Sequence, residues 1–273
     1  MRRNIVGGLA LLTLFVAMDL SAASAADMPL KAPTPAAVDD WTGFYFGGHV
    51  GGGWTNSSAE ILFPAPLLGI DPFAGSLNRS SALGGFQEGI NWQFARTWVV
   101  GIEGDWSYFN ASHSFSRTLT FNGGTPIPFS SGSLSTKLDW LASARNRLGY
   151  LATPNLMVYG TGGVAWGKIT DSGAATLNNP FGFTYASNVA FNNVAVGWAA
   201  GGGLEWLLAS HWLLRGEYLY YHLSSGQHVA SNNPLTFGGL CLVGACPPPS
   251  ATIDYSWSSM NVNVLRAALS YKF

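Results

Sequence analysis

The chain has 273 residues and a formal net charge of −1, and 10% of its residues are charged, whereas 34 are glycine, 11 are tryptophan and 14% are aromatic. Soluble domains usually contain about 25% charged residues, so this composition is unlike that of a cytosolic enzyme. The net charge and the lack of a nucleic-acid-binding motif in the sequence argue against nucleic acid as a partner.

The first 25 residues have the layout of a secretory signal peptide. Two arginines near the start precede an apolar run over residues 5–16, which is followed by three small residues that end at Ala25. The apolar run is shorter than the roughly 20 residues that a spanning helix requires, which argues against a membrane anchor. We therefore predict export of the chain with cleavage after Ala25. Residues 26–40, rich in proline and alanine, are predicted to form an extended periplasmic tether.

The remaining chain, residues 41–273, contains eight segments in which apolar residues recur with the period of two that is typical of β-strands. The predicted strands are residues 43–54, 82–94, 98–109, 134–150, 156–168, 194–207, 212–223 and 264–273. Five of them have a clear apolar side. In residues 43–54, 82–94 and 156–168 the alternation is weaker because glycine is frequent.

The connections between these segments alternate in length. Those after the second, fourth and sixth segments hold about three or four residues, and the other four hold about 20 to 30, well beyond an ordinary hairpin loop. A soluble sandwich has no reason to place every long loop at one end, and aromatic residues recur near the strand ends as membrane girdles require. We therefore predict an all-β fold: a closed, eight-stranded, antiparallel, up-and-down transmembrane β-barrel with four long extracellular loops and short periplasmic turns, closed by pairing of the last strand with the first.

Eleven charged side chains fall on the side of the strands opposite to the apolar one, which in a membrane barrel faces the lumen. They are Glu103, Asp105, Lys137, Asp139, Arg145, Arg147, Glu205, Arg215, Glu217, Arg266 and Lys272. The lumen of an eight-stranded barrel is about wide enough for side chains alone, so we predict a hydrogen-bonded charge network that acts as a structural plug. The alternative is a narrow, gated pore for very small solutes.

Glu88 departs from this pattern, because it falls on the apolar side together with Phe86 and Ile90. A carboxylate that faces lipid is unfavourable, although less so near an interface. Either the strand shifts register around its glycines or Glu88 lies near the rim. We favour the register shift, since glycine-rich strands specify their pairing weakly.

The two cysteines, Cys241 and Cys246, lie in one segment rich in proline and glycine. In an exported chain two such cysteines are predicted to form a disulfide rather than a metal site. The five histidines show no spacing typical of a metal site, and no arrangement of residues suggests a nucleophile or an acid/base pair. We therefore predict no cofactor and no enzymatic activity.

Several segments resemble one known family. They are WTGFYFGGHVGGGW (41–54), ALGGFQEGINWQF (82–94), VVGIEGDWSY (99–108), ARNRLGYL (144–151), YGTGGVAWG (159–167), VGWAAGGGLEWLL (196–208), LLRGEYLYY (213–221) and the terminal YKF. Together they are similar to the alphaproteobacterial small outer-membrane β-barrel proteins, often called outer-membrane immunogenic or porin-family proteins. The resemblance covers nearly all of the chain after the signal peptide and omits the long loops.

The resemblance implies three further features. Tyr271 and Phe273 would belong to the terminal signal that the barrel-assembly machinery reads. Similar barrels that begin Ala-Asp after cleavage are joined to peptidoglycan through the terminal amine, which here would involve Ala26 and Asp27. Some members bind haem, so a haem receptor is an alternative.

The function that these observations favour is structural. We predict an outer-membrane barrel that contacts outer-membrane lipid and lipopolysaccharide, contributes to envelope integrity, is tethered to peptidoglycan and displays loops rich in Ser, Asn, Gly and Pro for surface contacts. The alternative is a narrow porin-like channel or a receptor for haem or another small solute.

Overall fold

The computed structural model describes residues 40–63, 69–178, 183–209, 211–234, 236–237 and 250–273. These residues form the strands β1 (Gly43–Asn56), β2 (Ser58–Leu62), β3 (Phe73–Ser76), β4 (Arg79–Phe94), β5 (Trp98–Phe121), β6 (Thr125–Thr153), β7 (Leu156–Asn178), β8 (Phe183–Ala209), β9 (Trp212–Ser224), β10 (Gln227–Pro234), β11 (Thr236–Phe237), β12 (Ser250–Trp257) and β13 (Met260–Lys272). Nowhere in these ranges is there a helix of the length and apolarity that crossing a membrane would need.

Eight long strands are hydrogen-bonded to an antiparallel partner on both of their edges. β1 pairs with β4, and successive pairings link β4, β5, β6, β7, β8 and β9. β9 also pairs with β13, which in turn pairs with β1. Every segment predicted as a strand from its periodicity lies within one of these eight strands, except that β13 ends at Lys272, one residue before the predicted end. The short β11 pairs with the start of β8, and β10, β12, β2 and β3 form a second sheet in that order.

Side chains on the long strands alternate between a buried and an exposed side, and the exposed side carries large apolar residues. Ile102, Leu204 and Leu265 are 60%, 54% and 60% exposed, whereas the charged residues that directly follow them in the chain are at most 3% exposed. Those next residues are Glu103, Glu205 and Arg266. This polarity is the reverse of that in a soluble sandwich, where the charged side faces water.

The prediction of four long loops is wrong for two of them, because the strands continue far beyond the apolar segments. β5 and β6 are joined by residues 122–124, where Asn122, Gly123 and Gly124 all have positive φ. β7 and β8 stay paired as far as Asn178 and Thr184. The Ser-, Thr- and Asn-rich extensions lack an apolar alternation, yet their backbones still pair across the hairpin. The other two long connections contain β2, β3 and β10 to β12.

The predicted register shift around Glu88 is also wrong, because the pairing of β4 does not shift at its glycines. The pairing is continuous from Gly84 to Phe94 against β5, with Glu88 opposite Gly104, and it is equally continuous against β1. Glu88 is therefore exposed on the same side as Phe86 and Ile90. On the buried side, Gly89 faces the ring of Tyr45, and an added Cβ would collide with the tyrosine hydroxyl. A residue with a side chain would therefore not fit at position 89 in this register.

Apolar side chains on the buried side form three clusters along the strands. The short-turn cluster consists of Trp41, Tyr45, Val99, Leu151, Met157, Tyr159, Leu207 and Leu213. The middle cluster is built around Phe109, Leu138, Leu141, Ile169, Leu219, Leu223 and Val262. The distal cluster is built around Ile61, Phe73, Leu77, Leu119, Leu134, Tyr185, Ile253 and Tyr255, and it joins the second sheet to the extensions of β5 to β8.

Candidate functional site

The candidate site is a layer of buried charges that we call the charged layer. It consists of Glu103 and Asp105 on β5, Arg145 and Arg147 on β6, Glu205 on β8, Arg215 and Glu217 on β9, and Arg266 on β13. Alternate positions of a strand point to the same face, so each strand contributes its charges to one side. The layer contains four guanidinium groups and four carboxylates, and its formal charge is therefore zero.

Strand register brings opposite charges directly against each other. Glu103 pairs with Arg145 across β5 and β6, Glu205 pairs with Arg215 across β8 and β9, and Glu217 pairs with Arg266 across β9 and β13. Side chains that lie directly opposite on antiparallel strands are close enough to interact. The backbone pairing alone therefore places the partners of three ion pairs opposite each other.

Further contacts cross the interior and link these pairs into one network. Arg145 Nη2 lies 2.7 Å from Glu103 Oε1 and 2.9 Å from Asp105 Oδ2, and its Nη1 lies 3.1 Å from Glu217 Oε1. Arg266 lies 2.6 Å from Glu217 and 3.2 Å from Asp105. The remaining pairs join Arg147 to Glu205 and Glu103, Arg215 to Glu103 and Glu205, and Arg266 to Glu103. Buried charges that are paired and hydrogen-bonded avoid most of the cost of desolvation.

Two tyrosines that the sequence analysis did not single out complete the charged layer. The Tyr45 hydroxyl donates to Glu103 Oε2 at 2.5 Å and accepts from Arg147 Nη1 at 2.9 Å. Tyr159 donates to Glu217 Oε1 at 2.9 Å, and its ring lies 4.2 Å from the Arg147 guanidinium carbon. Such cation–π contacts stabilise a desolvated guanidinium. Both residues lie on glycine-rich strands with weak alternation, where only their spacing from other buried positions could have revealed them.

A neutral polar chain lies next to the charged layer. His49 Nδ1 is 2.6 Å from Gln87 Oε1, and its Nε2 is 2.8 Å from Ser107 Oγ. Because the amide oxygen of Gln87 can only accept, Nδ1 carries the proton and Nε2 accepts from Ser107. Gln87 Nε2 then donates to Ser270 Oγ at 2.9 Å. His49, Gln87, Ser107 and Ser270 are therefore joined to one another by hydrogen bonds on the buried side of the strands.

The charged layer lies between two apolar clusters. Along β9, Leu213 of the short-turn cluster precedes Arg215 and Glu217, and Leu219 of the middle cluster follows them. The same order holds on β5, β6 and β8, whereas on β13 the middle cluster lies on one side of Arg266 and no member of the short-turn cluster lies on the other. At the short-turn end, Trp41 is fully buried and its indole Nε1 donates to the Pro154 carbonyl at 3.0 Å. The charges are thus sealed on both sides by apolar groups.

Lys137 and Asp139 do not belong to the charged layer, which corrects the prediction for them. A β-bulge between Leu138 and Trp140 inserts one residue into β6 and reverses the alternation on its distal side. Leu138 is consequently buried, as is Leu134, whereas Lys137 and Asp139 project to the outer side. Sequence periodicity could not reveal this insertion, because both phases of the segment contain leucines.

The other predicted site residues have separate positions. Lys272 is buried, but it donates to the Asp40 carbonyl rather than to a member of the charged layer. Tyr271 and Phe273 are exposed and make an edge-to-face contact with ring centroids 5.2 Å apart, while the Phe273 backbone amide donates to the Phe44 carbonyl at 2.9 Å. Ala26, Asp27, Cys241 and Cys246 lie outside the described residues. Among the residues that are described, no group of three or more His, Cys, Asp or Glu could hold a metal ion.

Comparisons with known proteins agree on one family. A family model described as outer membrane protein beta-barrel domain matches residues 9–273. The 31 kDa outer-membrane immunogenic protein of Brucella melitensis biotype 1 is 31% identical over 96% of this chain and 98% of its own length. A 22 kDa outer membrane protein of Rhizobium leguminosarum bv. viciae is 29% identical over 58% of this chain and 60% of its own length. Among solved structures, the outer membrane protein OprG of Pseudomonas aeruginosa is 13% identical, with 86% of this chain and 99% of that chain covered and a TM-score of 0.44.

Proposed function

This chain belongs to the outer membrane protein beta-barrel domain family and is located in the outer membrane, and from that premise we propose that its eight long strands form a closed transmembrane barrel with a structural, non-conducting role. The proposal rests on the charged layer, which has no net formal charge and lies between two apolar clusters. A conducting pore needs a continuous polar path, and these apolar clusters interrupt it on both sides.

The outer surface supports placement of the strands in hydrocarbon. On β5, Trp98 and Tyr108 are exposed at the two ends of an apolar stretch. The ten residue steps from Trp98 to Tyr108 correspond to about 33 Å along the strand and, at a tilt of about 40°, to about 25 Å of height, which matches the apolar band of outer-membrane barrels. Trp206 and Trp212 are exposed at the same end as Trp98, where an aromatic girdle is expected.

The non-conducting role is tested by single-channel recording in planar bilayers. The folded protein should show no steady openings, because the ion pairs and apolar clusters fill the lumen. Heat-modifiable migration on a detergent gel is the control that the protein added to the bilayer is folded. Steady openings of the folded wild-type protein would contradict the structural proposal and favour the narrow-channel alternative.

The distal part of the chain supports a second element of the proposal, contact with surface partners. The extensions of β5 to β8 and the second sheet are held together by the distal cluster, so their outer faces form an ordered surface beyond the apolar band. Loops and strand ends at such a position are common contact sites. We propose no catalytic role for this surface.

A tether to peptidoglycan through Ala26 remains a prediction, as do the signal peptide, the assembly signal and the disulfide. Wall-bound protein released by lysozyme should carry a muropeptide on Ala26, and intact-mass measurement would detect it. Protein that begins at Ala26 without added mass would end the tether hypothesis while leaving the barrel proposal unaffected.

A further inference from the structure

Two lysines lie on the outer surface of the strands at the distal end of the apolar band. Lys137 on β6 and Lys168 on β7 both project to the outer side, with side chains 45% and 38% exposed. The positions on either side of Lys168 in the chain, Gly167 and Ile169, are buried. The β-bulge at Asp139 is what turns Lys137 outward.

Aromatic residues mark the level of these lysines. Lys168 is directly opposite Trp140, and Trp140 is in turn opposite Tyr108, whose side chain is exposed. Trp166 precedes Lys168 by two residues and therefore lies on the same face of β7. Tryptophan and tyrosine concentrate where hydrocarbon meets the headgroups, so the two ammonium groups lie at headgroup level.

One carboxylate lies between the two lysines. Asp139 Oδ1 is 2.7 Å from Lys137 Nζ, and Asp139 Oδ2 is 3.8 Å from Lys168 Nζ. The group of three therefore has a formal charge of +1, and its second lysine is held only by a long ion pair. Bulges commonly re-aim side chains at functional positions, and this one assembles the whole group on the lipid-facing surface.

We propose that Lys137 and Lys168 bind the anionic headgroup of a lipid in the outer leaflet, with Trp140 and Trp166 packing beside its acyl chains. This inference rests on the proposed transmembrane barrel. An anionic oxygen can accept from both ammonium groups at once, and each lysine at a membrane surface contributes an attraction to anionic lipid. A lipid bound by the two lysines would also place its acyl chains against the apolar side chains on the hydrocarbon side of the lysines. A free anion makes no such contact.

The test measures binding of fluorescent lipopolysaccharide to the folded full-length mature chain in a zwitterionic detergent. Lys137→Gln combined with Lys168→Gln should weaken binding by roughly tenfold or more, because two headgroup contacts are lost. Asp139→Asn should strengthen binding, since it removes the carboxylate that competes for both lysines. Arg96→Gln, which neutralises an exposed cation in the turn at the opposite end of the strands, is the matched control and should bind like wild type.

The outcomes separate the possible failures. Equal binding by the wild type and the double lysine variant, with both folded by heat-modifiable migration, would overturn the lipid site and leave the barrel standing. Full competition by inorganic phosphate would also overturn it, because the site would then be one for free anions. If the double variant does not fold, the Asp139→Asn protein decides, and unchanged or weaker binding refutes the proposal. A wild-type chain that never attains the heat-modifiable form would instead defeat the barrel proposal itself.

Discussion

The charged layer and the distal cluster both lie on the buried side of the strands, but with opposite chemistry. In the charged layer, four arginines and four carboxylates are joined by ion pairs that depend on strand register. In the distal cluster, aliphatic and aromatic groups pack without a directional requirement. Removing one partner from a buried ion pair leaves an uncompensated charge, whereas truncating an apolar side chain leaves a cavity. The first region should therefore tolerate substitution less well than the second.

The largest effect is expected for Arg145→Met, which leaves Glu103, Asp105 and Glu217 without their shared guanidinium. The free energy of unfolding should fall by about 3–5 kcal/mol, the usual cost of an unpaired buried charge. Urea unfolding in lipid vesicles, followed by tryptophan fluorescence, measures it. The exposed Arg96→Met is the control and should match wild type. A loss below about 1 kcal/mol for Arg145→Met would show that the network contributes little as a unit.

A smaller and local effect is expected for Ile61→Ala in the distal cluster. Ile61 is fully buried, and its truncation should cost about 2–4 kcal/mol. Because this cluster joins the second sheet to the strand extensions, protease cleavage there should increase while heat-modifiable migration of the barrel persists. Leu62→Ala, in the exposed neighbouring position of the same strand, should leave cleavage unchanged. Loss of heat-modifiable migration in Ile61→Ala would mean that the two regions unfold together.

The smallest effect is expected for Asp171. Unlike the carboxylates of the charged layer, this carboxyl on the distal part of β7 is buried without an ion pair to any described residue. Burial raises the pKa of Asp171 from its ordinary value of 3.8 to about 6, although a 2.6 Å hydrogen bond from Thr136 opposes the shift. His113 is opposite Thr136 on the other side and is the titratable group in the same row.

The sign of the pH dependence follows from this raised pKa. Folded Asp171 keeps its proton up to about pH 6, whereas the unfolded chain releases it near 3.8. The contribution of Asp171 to the free energy of unfolding should therefore fall as pH rises from about 4 to 6, by on the order of 2 kcal/mol, and then level off. Asp171→Asn should remove this contribution, whereas Asp71→Asn, which changes a half-buried carboxylate that accepts from the Gly123 and Gly124 amides, should leave it in place. An equal pH dependence of stability in the wild type and in the Asp171→Asn protein would contradict the assignment.

Much of the charged layer could be predicted from the sequence. Glu103, Glu205 and Arg266 each follow a large apolar residue on a strand with clear alternation, so their side was evident. The ion-pair partner of each charged residue could not be predicted, because it depends on which residues lie opposite in the strand register. Tyr45 and Tyr159 were missed for a different reason: tyrosine fits a girdle as well as a lumen, and glycine neighbours hide the period.

The strand extensions show a second limit of periodicity. Residues 112–118 and 131–137 are rich in serine and threonine, so neither face is distinguished by polarity, yet the backbones pair from Ser112 opposite Lys137 to Thr118 opposite Ser131. The same limit applies to Glu88, where the lipid-side carboxylate suggested a shift that the continuous pairing of β4 does not contain.

By itself, the sequence determined that the chain is built from antiparallel strands with an apolar and a charged side, because period-two alternation is a local property of each strand. Tertiary structure alone decided which charges meet, where the bulge at Asp139 turns Lys137 outward, and how apolar clusters close off the charged layer. These features depend on register between strands that are distant in the chain, and register is fixed by the packing of all neighbours together rather than by any one segment.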